Sequence, residues 1–259
     1  MKVLCVGDVV SRVGRDMLFK YVDDMKYTKD IDFVIVNGEN ASHGRGMSRS
    51  AYEEMKRAGV DVFTTGNHVF GVKEIASIME SEGDVLRPLN MPANPPGAGY
   101  MTAETKSGVK IGIVNLIGQV NMLPANSPFE AAERAVSELR EKTPVIFVDF
   151  HAEVTSEKMA MGYFLDGKVS AVFGTHTHIQ TADAKILAGG TGYITDLGMT
   201  GPEDSVLGMN KTVIVNRFVT QMPQKFEVAN GKGQFSGCIF TVDETSGKCT
   251  DIERVYIVE

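Results

Sequence analysis

The sequence predicts a layered α/β fold, with two packed sheets and helices outside. Three observations predict it. Through the first two thirds of the 259-residue chain, short apolar runs alternate with segments whose apolar residues recur at helical spacing. After His178 the pattern changes to apolar runs separated by turns, with little helix. Several of the runs end in a polar residue, often just after a glycine, as strands do when they deliver residues to a common site.

Taken in order, residues 2–7 are apolar and closed by Gly7, which predicts a buried strand. Residues 12–26 place Val13, Met17, Leu18, Tyr21, Val22 and Met25 on one helical face. Residues 32–37 read as a strand, followed by Gly38-Glu39-Asn40 and a glycine-containing loop over 41–46. A helix is predicted over 48–58, with Ser48 as its N-cap and Gly59 just past its end. The strand 60–64 runs into Gly66-Asn67-His68, and a helix follows over 72–82. Four prolines make 87–100 a loop. Next come a strand at 110–116, a helix at 128–142, a strand at 144–150 ending at His151, a helix at 156–165 and a strand at 169–173. The last third reads as strands at 191–196, 212–219, 235–242 and 253–258, the final two forming a hairpin around 244–247. Nothing resembles a linker or repeat, so residues 1–259 are expected to form one domain.

Composition narrows the function. Hydrophobic residues make up 43% and charged residues 23%, which suits a globular chain with a large core. A net charge of −7 without a Lys/Arg block argues against a stable nucleic-acid complex. A small phosphate ester remains possible, because bound cations reverse a local field. No window is apolar enough for a membrane span, and no signal-peptide pattern is present. The three cysteines, Cys5, Cys238 and Cys249, are unclustered and odd in number. Together these features lead to the expectation of a cytoplasmic protein. Homo-oligomerisation is left open.

Chemistry concentrates at five strand ends: Asp8, Glu39-Asn40, Asn67-His68, His151 and His176/His178. Each alone has an ordinary explanation, such as a helix cap at Asp8 or a turn at Glu39-Asn40. Their conjunction points to a metal site. Imidazole with carboxylate suits Mn, Fe or Zn better than Ca, and a carboxylate can bridge two cations that clamp a phosphoryl group. His176 and His178 share a face if their strand is regular, whereas a turn would aim them at different metals. His43 is expected in solvent, Asp149 is expected to face away from His151, and Asp196 is read as a supporting partner or a cap.

These residues resemble the calcineurin-like metallophosphoesterase superfamily, through Gly7-Asp8, Gly66-Asn67-His68, His151 and Gly174-Thr-His176-Thr-His178. Two positions depart from its pattern: Val10 stands where a histidine is expected, and Glu39 stands at the usual bridging aspartate. With Asn37-Gly-Glu-Asn40, Asp149-Phe-His-Ala152 and residues 193–199, the variant resembles the bacterial YmdB-like phosphodiesterases. The resemblance implies a four-layer α/β/β/α sandwich, two mixed sheets flanked by helices. It implies two metal ions, iron first with manganese or magnesium as alternatives. Asp8, Asn40 and His178 would hold one and Asn67, His151 and His176 the other, with Glu39 bridging and Asn40 replacing the ligand that Val10 is not. It further implies hydrolysis of 2′,3′-cyclic nucleotides at the 2′ bond to 3′-nucleotides, by in-line attack of a metal-bridging hydroxide with His68 as proton donor. A phosphomonoesterase or protein phosphatase on the same site, and a non-catalytic module binding metal and nucleotide, remain open.

Overall fold

Parallel pairing of the first strands sets the architecture. In the computed structural model, which describes residues 1–93 and 95–259, β1 (Lys2–Val6) leads through β2 (Asp8–Val9) into α1 (Ser11–Thr28) and returns as β3 (Phe33–Asn37). Asn94, within the expected 87–100 loop, lies outside the described residues. α2 (Arg49–Arg57) and β4 (Val62–Thr64) follow, so β1, β3 and β4 run parallel and side by side. Ser48 caps α2 as expected, its hydroxyl accepting the Ala51 N–H at 3.3 Å. α3 (Ile75–Glu82) and β5 (Tyr100–Glu104) lead into a second sheet built on β6 (Lys110–Ile117). There α4 (Pro128–Arg140), β7 (Ile146–His151), α5 (Thr155–Phe164) and β8 (Ala171–Thr175) repeat the strand–helix alternation. β6, β7 and β8 are again parallel.

The remaining chain finishes both sheets. β9 (Lys185–Ile186) and β10 (Gly192–Ile194) extend the second sheet to the order β5-β6-β7-β8-β10-β9. β11 (Met199–Pro202) pairs β2, and after α6 (Lys211–Thr220) the hairpin of β12 (Gly233–Val242) and β13 (Cys249–Val258) completes the first. Its order is β2-β11-β12-β1-β3-β4, with β13 on β12. Apolar side chains then fall into three cores. One lies between the first sheet and α1 to α3, one between the two sheets, and one between the second sheet and α4 and α5. The four-layer α/β/β/α sandwich of two mixed sheets is therefore present. β3, β7 and β8 are buried along their whole length, which is why they read as unbroken apolar runs.

One expected element has the wrong type. Residues 212–219, read as a strand from their β-branched composition, form the helix α6. Asn210 starts it, its side-chain oxygen accepting the Thr212 and Val213 N–H groups at 3.0 and 3.3 Å. Gln221 ends it in the left-handed conformation. Strand propensity describes fit to a pleated, half-buried surface, and here Val215, Phe218 and Val219 face outward. The short strands β2, β9 and β11 and the edge strand β5 were not anticipated, since none of them carries an apolar run and β5 is partly exposed along its length.

The inter-sheet core depends on Phe240, whose ring lies 5.9 Å from that of Phe147 and 6.4 Å from that of Phe173 on the opposite sheet. Phe240→Ala is expected to cost about 3–5 kcal/mol in chemical denaturation. A loss under about 1 kcal/mol would show that the sheets do not depend on this contact.

Candidate metal centre

Parallel strands place their carboxyl ends together, and six candidate residues sit within or just beyond them. Asp8 opens β2, Glu39-Asn40 follows β3, Asn67 follows β4, His151 ends β7, and His176 follows β8. Asp8, Glu39 and His151 are almost wholly buried. Glu39, His151 and His176 offer ligand atoms lying within 4.8 Å of one another. His151 Nε2 is the hub: Asn67 Oδ1 is at 2.8 Å, His176 Nδ1 at 3.1 Å and Glu39 Oε1 at 3.3 Å. On the other side of Glu39, Asn40 Nδ2 lies 3.2 Å from Glu39 Oε1 and 3.2 Å from His178 Nε2. Asp8 Oδ1 stands 3.8 Å from His178 Nε2 and 4.0 Å from His151 Nδ1.

Each histidine has its far nitrogen tied down, and that decides which lone pair faces the site. The Thr175 hydroxyl donates to Asp149 Oδ1 at 2.7 Å, so it accepts from His151 Nδ1 at 2.9 Å and leaves Nε2 toward the cluster. His176 Nε2 faces the Glu153 carboxylate at 3.2 Å, leaving Nδ1 inward. His178 Nδ1 donates to the Leu207 carbonyl at 3.1 Å, leaving Nε2 inward. Such outer partners fix the ring and its tautomer, as they do around bound metals. Asp149 thus faces the same side as His151, against expectation. It stands two residues before it, and strand side chains alternate with period two.

Backbone strain is present at both histidines of the last strand end. His176 has φ +98° and His178 has φ +66°, values that side-chain-bearing residues rarely adopt. The turn is pinned by buried groups. Asp8 Oδ2 accepts the His176 N–H at 3.0 Å, and Asp196 Oδ2 accepts the Thr177 N–H at 3.0 Å. Lys158, buried in α5, donates to the Thr175 carbonyl at 2.7 Å and to Asp196 at 2.6 Å. The turn therefore directs His176 toward His151 and His178 toward Asp8 and Asn40. Lys158 and Asp196 support it, and Lys158 was not singled out from the sequence. The only hint was a lysine in line with the buried face of α5.

The donor set fits a cation. Among the described residues, Asp8 Oδ1 is the one buried side-chain oxygen or nitrogen with no hydrogen-bond partner. A Cβ on Gly66 would collide with His151 Nε2 and lie 2.5 Å from Glu39 Oε2, so glycine keeps that space open. Asn40 presents its amide nitrogen to Glu39 and His178 and its oxygen to His68 Nδ1 at 2.8 Å. A half-turn of the amide exchanges these ends and offers the oxygen to a cation. Val10 is buried against Gly201 and Gly208, while the Asn40 carbonyl accepts the neighbouring Ser11 N–H at 2.9 Å. Asn40 therefore occupies the ground beside Val10. His68 lies at the mouth, about a third exposed, with its backbone N–H on Glu39 Oε2 at 3.0 Å. His43 is exposed, as expected.

The charges within the cluster act on one another. Burial pushes the Asp8 carboxyl up, against His178 and His151. Burial also pushes Glu39 up, but His151 and His68 outweigh it and hold it down at about 2. Burial opposes charge on His151, yet Glu39, Asp8 and Asp149 surround it and raise it to about 9. Half-buried beside that cation, His176 is pushed down to about 3. Burial raises Asp149 to about 6, despite hydrogen bonds from Thr64, Thr175 and Asn37.

The chain is similar to known proteins along its length. The chain matches the family described as YmdB-like protein over residues 4–255. It is 44% identical over 257 residues to the 2′,3′-cyclic-nucleotide 2′-phosphodiesterase of Bacillus subtilis (strain 168), covering 99% of this chain and 97% of that one. A crystal structure of a hypothetical protein from Thermus thermophilus superposes with a TM-score of 0.94 at 40% identity, covering both chains in full. The crystal structure of a novel phosphatase from Mycoplasma pneumoniae gives 0.93 at 37% identity, covering 100% of this chain and 93% of that one.

Two outcomes follow from the geometry. Lys158→Met leaves the Asp196 carboxylate buried without its cation, and is expected to cost about 3–5 kcal/mol in chemical denaturation. Adding Asp196→Asn should return part of that loss; equal stability of the single and double variants would contradict the pairing. His151 keeps its proton up to about pH 9, and a cation at Nε2 displaces that proton. Below that pH, Mn²⁺ uptake should release protons, and apparent affinity should rise with pH by up to about tenfold per unit. Calorimetry in two buffers of different ionisation enthalpy measures this, and affinity that stays flat from about pH 6 to 8 would refute it.

Proposed function

The chain belongs to the YmdB-like family, and from that premise we propose that it is a metal-dependent phosphodiesterase cleaving 2′,3′-cyclic nucleotides at the 2′ bond. One observation carries the reading. Three histidines have their far nitrogens fixed by Asp149 through Thr175, by Glu153 and by the Leu207 carbonyl, so that their near nitrogens face two buried carboxylates.

Phosphoesterases of this kind use divalent metal ions, and the donors divide into two sets around Glu39. Asn67, His151 and His176 would hold one ion. Asp8, His178 and the Asn40 oxygen would hold the other, with Glu39 shared. Mixed imidazole and carboxylate donors favour iron or manganese over calcium, with iron our first choice. Bound ions would supply positive charge for the phosphoryl oxygens and lower the pKa of an attacking water.

The chain's own residues do the rest. A water, its proton lost to solvent, attacks phosphorus in line with the 2′ oxygen, the P–O2′ bond breaks, and His68 delivers a proton to O2′, leaving the phosphate on the 3′ oxygen. His68 is placed for this. Its Nδ1 lies against the Asn40 side-chain amide, and its other ring nitrogen has no partner among the described residues. Burial, with Arg45 and His151, holds its pKa below the usual histidine value, against the pull of Glu39. An anionic diester bound beside it favours the protonated form that donation requires.

Product analysis with Mn²⁺ and 2′,3′-cyclic AMP tests the reading: 3′-AMP alone is expected. Absence of turnover or accumulation of 2′-AMP would refute it, and phosphate release from 3′-AMP would favour a phosphomonoesterase. His68→Ala should keep its metal by elemental analysis and lose about 10²–10⁴-fold in rate, the scale of a general acid. An unchanged rate would remove His68 from the mechanism.

A further inference from the structure

A cavity of about 440 Å³ opens beside the metal centre, lined by His178, Ile179, Gln180, Gln234, Arg254 and Tyr256. That volume is within the range of small-ligand pockets. His178 is its wall in common with the site. A roomier cavity of about 550 Å³ along α6 is lined by none of the site residues.

The chemistry of the lining is that of a nucleoside. Ile179 follows His178 directly and is 62% exposed, and Tyr256 on β13 is 56% exposed. These are large apolar surfaces left to solvent beside a buried polar cluster. The Tyr256 ring is oriented, because its hydroxyl donates to Gln234 Oε1 at 3.2 Å. Gln234 is itself anchored by its amide nitrogen on the Met199 carbonyl at 3.0 Å. Gln180 turns its nitrogen into the fold, onto the Gly237 and Val255 carbonyls at 3.0 and 3.1 Å. Its carbonyl oxygen has no partner among the described residues and is left as an acceptor. Arg254 makes no ion pair among the described residues; its guanidinium contacts only the Thr181 carbonyl, at 3.4 Å. An unpaired guanidinium, an oriented aromatic ring and a free acceptor suit an anion carrying a flat base.

Resting on the phosphodiesterase reading, we infer that this cavity holds the nucleoside of the substrate. The base packs on Tyr256 and Ile179, Gln180 accepts a base N–H, and Arg254 faces the sugar-phosphate. Tyr256 and Arg254 are then specificity residues that recognise what the phosphate carries.

Equilibrium dialysis of the Mn²⁺-loaded protein, with 3′-AMP and with inorganic phosphate as separate probes, tests this. Phosphate reports the metal centre; the ratio of the two affinities reports the nucleoside. 3′-AMP should bind more tightly than phosphate to the native chain. Tyr256→Ala should shrink that advantage about 5- to 100-fold, the range of one stacked base, while Tyr256→Phe keeps it. Arg254→Met should shrink it too. A structural defect would weaken both probes together and leave the ratio unchanged. No advantage in the native chain, or a ratio unaffected by Tyr256→Ala, overturns the inference. Hydrolysis of the cyclic nucleotide with an unaffected ratio would sink the pocket and spare the activity; the expected ratios without hydrolysis would do the reverse.

Discussion

Two carboxylates withdrawn from water are the constraint on which the site depends. Asp8 and Glu39 are 0% and 1% exposed at the ends of neighbouring strands, where an uncompensated charge is costly. Only nearby positive charge makes that arrangement tolerable. In the chain alone, His151 supplies it by holding a proton beside Glu39. Among the described residues, none donates a hydrogen bond to Asp8 Oδ1. A cation between these groups would satisfy both, and the same desolvation that raises the cost would strengthen its binding.

Orientation is the second consequence. Carboxylates and imidazoles at this density attract a cation only if their lone pairs point inward. Asp149, Glu153 and the Leu207 carbonyl ensure that from outside the ligand set. The turn bearing His176 and His178 is strained, and Lys158, Asp196 and Asp8 hold it by its backbone groups. Asp8 is used twice, one oxygen on that backbone and the other toward the cluster. The site is thus supported by both sheets and by α5, which links its geometry to the integrity of the sandwich.

Legibility from sequence followed physical scale. Strands buried on both faces announced themselves as unbroken apolar runs, and their carboxyl ends disclosed Asp8, Glu39, Asn67, His151 and His176. Asp149 was misassigned although its position in β7, two before His151, already put it on the same face. α6 was misread because its β-branched residues face solvent, where composition says little and a single Asn210 cap decides. Lys158 was invisible because a buried lysine makes sense only once its partner, Asp196 on a distant segment, is known.

By itself the sequence determined the layered α/β class, the strand ends that carry polar residues, and the substitution of Val10 and Glu39 in a recognisable pattern. These are local properties, set by period, composition and spacing. Only the tertiary structure decided that His176 and His178 point to different sides of Glu39, that Asn40 sits beside Val10, and which nitrogen of each imidazole faces inward. Those depend on the φ angles of one turn and on hydrogen bonds between residues up to 168 positions apart, such as His176 to Asp8. Contacts of that reach exist only after the two sheets have packed.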